Sequence, residues 1–122
     1  MIDVAQRPRT EKQRSGQAGE DEALAYLQGE GLTLVERNFR CKSGEIDLIM
    51  QEQHALIFIE VRKRAKSRYG DAAASVTSAK QAKLVRAAQF YLLRFKTPPA
   101  CRIDVVAIDG GELRWLKNAI GG

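Results

Sequence analysis

Apolar and polar positions recur along this chain with two periods, and each change of period marks a new element. From Ser15 or Gly16 to about Gln28 the apolar residues repeat at helical spacing, with Gly29 and Gly31 as stops. The inward stripe of that helix is Glu20, Ala23, Leu24 and Leu27, at i, i+3, i+4 and i+7. Asp21 and Glu22 are ordinary acids of a helix start, favoured by the dipole. Glu20 differs, because the spacing turns it toward the core. Leu32–Phe39 predicts a first strand and Glu45–Met50 a second, with Ile46, Leu48 and Met50 on one face and Glu45, Asp47 and Ile49 on the other. After a polar turn at Gln51–His54, Ala55–Arg62 is apolar on both faces until its end, the pattern of a central strand covered on both sides. Its closing alternation sets Phe58, Glu60 and Arg62 against Ile57, Ile59, Val61 and Lys63.

A loop through Tyr69 and Gly70 leads to a second helix, capped near Thr77 or Ser78 and running to about Phe95. Its stripe includes Lys80, Leu84, Ala87, Ala88 and Tyr91, and Pro98-Pro99 closes it. Arg102–Ile108 and Leu113–Asn118 predict two last strands joined through Asp109-Gly110-Gly111, a strong hairpin signal. The order is helix, three strands, helix, two strands, which implies an α/β or α+β sandwich around one mixed sheet. Residues 1–14 mix charges with Pro8 and read as a loose arm ahead of a single domain over 15–122.

Composition narrows the class. With 44% hydrophobic and 29% charged residues in 122, the chain is expected to fold around one core. Its longest apolar run, Ala55–Ile59, falls far short of the roughly 20 residues of a membrane span, and Met1–Arg14 lacks a secretory core. A cytoplasmic protein without a membrane partner is the expectation. Cys41 and Cys101 are isolated and His54 is the sole histidine, which argues against a zinc site and a Ser-His-Asp triad. Any metal would be held by carboxylates and would be hard, Mg²⁺ or Mn²⁺.

Charge is unevenly spread. The formal net charge is +5, but Arg62 to Arg102 holds eleven basic residues and one acid, Asp71, leaving −5 for the remainder. Five cations fall within Arg62-Lys63-Arg64-Ala65-Lys66-Ser67-Arg68. Such density suits a polyphosphate partner, and the competing explanation is a solvated loop that aids solubility. Lys83 and Arg86 extend the basic surface onto the second helix.

Two acids carry the candidate chemistry. In a hairpin turning at Gln51–His54, Asp47 and Glu60 fall roughly opposite one another, close enough to repel unless a proton or cation lies between them. A divalent metal shared with a phosphate is one resolution. Salt bridges to Arg62, Arg37 or Lys80 are the other.

The segments Gly16-Gln-Ala-Gly-Glu20, Arg37-Asn-Phe-Arg40, Gly44-Glu-Ile-Asp-Leu-Ile49, Phe58-Ile-Glu-Val-Arg62, Tyr69-Gly70 and Arg102-Ile-Asp-Val-Val-Ala107 together resemble the YraN-like family of bacterial proteins. The resemblance implies a restriction-endonuclease-like fold of the PD-(D/E)XK superfamily, similar to archaeal Holliday-junction resolvases, with a central mixed five-stranded sheet flanked by helices. In that pattern a helical glutamate, an aspartate and a Glu-x-Lys unit hold the metal; Glu20, Asp47 and Glu60 match the three acids. The lysine is replaced by Arg62, which stays charged and cannot serve as a base but can stabilise phosphate charge. Lys80, on the inward stripe, is the expected substitute.

The leading expectation is a Mg²⁺- or Mn²⁺-dependent endonuclease acting on branched or structured DNA. Glu20, Asp47 and Glu60 would be metal ligands, with Asp47, Glu60, Arg62 and Lys80 catalytic. Arg62, Lys63, Arg64, Lys66, Arg68, Lys83 and Arg86 would contact nucleic acid. Cutting both strands of a symmetric junction favours a homodimer. The rival expectations are a non-catalytic nucleic-acid-binding protein with a degenerate site, and a cationic face that meets an acidic protein.

Overall fold

The strand expected to be greasy on both sides is the middle of the sheet. In the structure, a computed structural model that describes residues 11–65 and 68–121, it is β3 (Ala55–Arg64). Around it lie β1 (Thr33–Cys41), β2 (Gly44–Glu52), β4 (Cys101–Asp109) and β5 (Glu112–Ile120), in the spatial order β1-β2-β3-β4-β5. β3 and β4 are parallel and every other pair is antiparallel. A parallel pair needs a crossover rather than a tight turn; here it contains α2 (Asp71–Ala74) and α3 (Ser78–Leu92). α1 (Glu11–Gly29) covers the opposite face.

Each face has its own core. On one, Ala23 and Leu27 of α1 pack with Leu48, Met50, Ile57, Ile59, Val106 and Ile108. On the other, Leu84, Ala87, Ala88 and Tyr91 of α3 and Ala72 of α2 pack with Phe39, Ile46, Ile49, Phe58, Val105 and Ala107. This is an α/β fold with a mixed five-stranded sheet flanked by helices, in keeping with a restriction-endonuclease-like fold. Among the described residues no helix is long and apolar enough to cross a membrane.

Several expectations are corrected. α1 begins at Glu11, so residues 11–14 of the expected arm are helical, and residues 1–10 lie outside the described residues. α2 was not foreseen: it is a four-residue turn of helix whose start is held from elsewhere, by the Asp109 carboxylate accepting from the Gly70 and Ala72 amides. α3 ends at Leu92 rather than Phe95; of the two cap candidates, Thr77 and Ser78, Thr77 is the cap, its Oγ1 accepting from the Lys80 amide at 3.3 Å. Most consequential, Ile46 does not share a face with Leu48 and Met50. It joins Ile49 in the core on the α3 side. The alternation breaks where Asn38 of β1 adopts φ 53° and the Asn38–Asp47 position drops out of the β1–β2 pairing.

Candidate functional site

Pairing between β2 and β3 runs from Glu52↔Ala55 to Leu48↔Ile59 and stops one step before Asp47 and Glu60. The two acids are therefore opposed, as the hairpin arithmetic predicts, but at the point where the strands part. The Val61 amide donates to Asp47 Oδ2 at 2.8 Å, so a side chain takes the place of a ladder carbonyl there. Glu60 is buried, 8% exposed, and its Oε2 accepts from Arg62 at 2.9 Å. β3 alternation keeps Glu60 and Arg62 on the α3 side, while Val61 and Lys63 pack toward α1.

Glu20 approaches from α1, whose close seating on β3 depends on Gly19: a Cβ there would stand 3.2 Å from Lys63 Cβ and 3.8 Å from Val61 Cγ1. One Glu20 oxygen, Oε1, is buried without a hydrogen-bond partner. Burial, and after it the charge of Asp47, pushes the Glu20 carboxyl up to about 7, against a smaller lowering by Arg37. Burial also raises Asp47 well above the usual carboxylate range, followed by its hydrogen bond to and repulsion from Glu60; the Val61 amide and Arg62 oppose this. Asp47 thus links the acids, interacting with Glu20 from α1 and with Glu60 from β3, and burial with these neighbours makes Glu20 and Asp47 resist ionising.

Among the described residues no three Asp, Glu, His or Cys side chains make a ready-built metal cage. The donor set still fits a hard divalent cation, because Mg²⁺ is commonly held by one or two carboxylates, waters and substrate phosphate rather than by an all-protein shell. The unsatisfied Glu20 oxygen and the adjacent Asp47 and Glu60 carboxylates are the features such an ion would relieve.

The cations divide. Arg62 lies with Glu60, as the salt-bridge alternative expected. Arg37 does not reach the pair; it bonds Asp21 at 2.8 Å. Lys80 is not buried on the helix stripe: it sits in the first turn of α3, exposed, and among the described residues no ion pair joins it to an acid. Lys63 is removed from the basic loop surface by its ion pair with Glu22 at 3.2 Å on the α1 side. Arg64, Arg68, Lys83 and Arg86 are exposed, and Lys66 lies outside the described residues. Cys41 and Cys101 are free thiols.

Two further carboxylates are bound up in holding the sheet. Asp104, fully buried, accepts from Arg102 Nε, Trp115 Nε1 and the Asn118 amide, which pins the β4–β5 irregularity. Asp109 anchors the loop ahead of α2. Sequence periodicity marked neither role, since both depend on partners brought in by β5 and the crossover.

A family model described as uncharacterised protein family UPF0102 matches residues 19–108, a span that takes in Glu20, Asp47, Glu60 and the basic loop. The chain belongs to the UPF0102 family. A UPF0102 protein of Herminiimonas arsenicoxydans is 64% identical over 114 residues, 93% of this chain and 92% of that one. One from Janthinobacterium sp. (strain Marseille) is 62% identical over 114 residues, 93% of both chains. One from Cupriavidus metallidurans is 54% identical over 114 residues, 93% of this chain and 85% of its own. The UPF0102 match closes at residue 108, before β5 supplies Arg114 and Trp115.

Proposed function

We propose that this UPF0102 protein is a Mg²⁺- or Mn²⁺-dependent endonuclease acting on branched or otherwise structured DNA in the cytoplasm, working as a two-fold dimer where both strands are cut. The observation that carries the reading is the meeting of Asp47 and Glu60 at the opening of the β2–β3 ladder, with Glu20 electrostatically joined to Asp47. Asp47 and Glu60 would hold the metal and Glu20 would complete its surroundings. When bound, the ion would lower the pKa of an attacking water and neutralise phosphate charge. The Val61 amide fixes Asp47 by Oδ2, and a hydrogen bond joins the Asp47 carboxyl to Glu60. Arg62 orients Glu60 and offers a guanidinium to phosphate beside it. Arg64, Arg68, Lys83 and Arg86 supply the exposed positive surface along which a backbone would lie.

The test is cleavage of labelled duplex, flap, four-way junction, single-stranded DNA and RNA in Mn²⁺ by wild type, Asp47→Asn and Glu60→Ala. Cutting by wild type alone, with DNA binding kept by Asp47→Asn, is the expected result. Equal cutting by all three would remove these acids from the chemistry.

A non-catalytic nucleic-acid-binding protein is the second reading, favoured by the Arg62–Glu60 ion pair, in which a permanent cation already satisfies one of the two acids. Arg62→Lys separates the two. A gain of cutting would make the arginine the brake on turnover. No cutting by either protein, with salt-sensitive binding intact, would establish the binding module.

A further inference from the structure

Two strands across from the acids, the sheet and the basic loop build a second group of side chains on the same face. Arg62 lies opposite Ala107, and Ala107 opposite Arg114. Directly paired residues project from one face, so Arg114 stands on the Arg62 side at about 10 Å, two strand spacings away. Leu116, two residues on, packs into the α3-side core and agrees with that assignment.

Arg114 is not a loose surface cation. Its side chain is 25% exposed, and its terminal nitrogen lies 3.7 Å from the Asp109 carboxylate. Another nitrogen donates to the Tyr69 hydroxyl at 3.2 Å, and the guanidinium carbon lies 4.0 Å from the centroid of the Tyr69 ring. Asp109 also ties down the loop through the Gly70 and Ala72 amides. Tyr69 is nevertheless 69% exposed. One face of its ring rests on a guanidinium, its hydroxyl is tied, and solvent reaches the rest. The ring is held in place without being buried.

We propose that the Tyr69–Arg114 pair is a stacking platform for an unpaired nucleobase next to the carboxylate group, so that the substrate presents a displaced or single-stranded nucleotide there. The inference rests on the nucleic-acid reading above and adds a substrate class to it. Every base has a π-face, so stacking on an aromatic ring is tolerant of sequence. A ring already fixed by cation–π contact and a hydrogen bond loses little freedom when a base arrives. About three stacked nucleotides, at roughly 3.4 Å each along a strand, would span the distance from Arg62 to Arg114. Flaps and branch points offer unpaired bases at that range, whereas a plain duplex must first be unstacked.

The test uses the full chain in EDTA, which prevents cutting, with a flap and a plain duplex that carry 2-aminopurine near the branch or at the matching position. Quenching reports stacking, and anisotropy of an end label reports binding. Wild type and Tyr69→Phe are expected to quench the flap probe. Tyr69→Ala should lose the quench and bind the flap roughly tenfold more weakly, with duplex affinity and melting temperature unchanged. Undiminished quenching by Tyr69→Ala, or equal losses on flap and duplex, would overturn the platform while leaving the nucleic-acid reading intact. Absence of any binding by wild type at low salt would overturn both.

Discussion

At Asp47 the Val61 amide bonds one oxygen while burial and the Glu60 carboxylate bear on the group's charge. The amide favours the charged carboxylate, but the burial and the neighbour outweigh it. An aspartate in the unfolded chain ionises near ~4; in the folded protein the group keeps its proton to a higher pH. Between those values the native state binds more protons than the unfolded state, so stability falls as pH rises through the interval. Glu20, raised to about 7, adds in the same direction. Asp47→Asn keeps an acceptor for Val61 and removes the charge. Urea denaturation is expected to show Asp47→Asn more stable than wild type at pH 8 by on the order of 1–2 kcal/mol, with the gap closing toward pH 5. Equal pH dependence in the two proteins would exclude Asp47 as the source. Mn²⁺ should raise the wild-type midpoint at pH 8 and not that of Asp47→Asn, because only a native site that binds the ion is stabilised by it.

Elements bring these residues together through two departures from regularity: the β2–β3 ladder that opens at Asp47, and the helix that seats on a glycine. The first was half legible. Counting back from the Gln51–His54 turn places positions 47 and 60 opposite one another, but the end of pairing at Leu48↔Ile59 and the shift of Ile46 to the α3 side follow from Asn38 and the packing of both cores. Helical spacing marked Glu20 as misplaced, and α1 does bring it toward the acids. Gly19, next to it, allows that approach. A β-branched side chain at 19 would press on Lys63 Cβ, which is fixed to the strand, and would lift the helix. Gly19→Val is expected to cost about 1–3 kcal/mol in chemical denaturation. A loss below about 0.5 kcal/mol, the range of an ordinary surface substitution, would mean that α1 is not held at this contact.

Over the whole molecule the charge imbalance becomes a surface only after folding sorts the cations. Five cations crowd Arg62–Arg68 in sequence, yet Arg62 turns to Glu60 and Lys63 to Glu22, while Arg64 and Arg68 are exposed. Lys83 and Arg86 stand exposed on α3, with Lys83 over the β1–β2 turn at Gly44. If a backbone follows these exposed groups, Lys83→Glu with Arg86→Glu should weaken DNA binding and lower the slope of log K against log salt by about 2. Lys63→Met should leave that slope near the wild-type value. Anisotropy titrations from 50 to 200 mM salt, on the order of the range over which phosphate contacts are lost, would read both. An unchanged slope in the double variant would take α3 out of the path.

Local pattern alone determined the order of elements apart from the short α2, the buried central strand, the Asp109-Gly110-Gly111 hairpin and the suspicion attached to Glu20, Asp47 and Glu60. Those features depend on periods of two and 3.6 residues and on turn chemistry, which neighbouring residues set. Tertiary structure decided which acids keep a proton, which cations are spent on partners and which remain at the surface. It also made Asp104 and Asp109 anchors, left Lys80 exposed and set Tyr69 on Arg114. Each of these rests on groups that the strand register and the crossover bring together from distant parts of the chain, a proximity that no local period encodes.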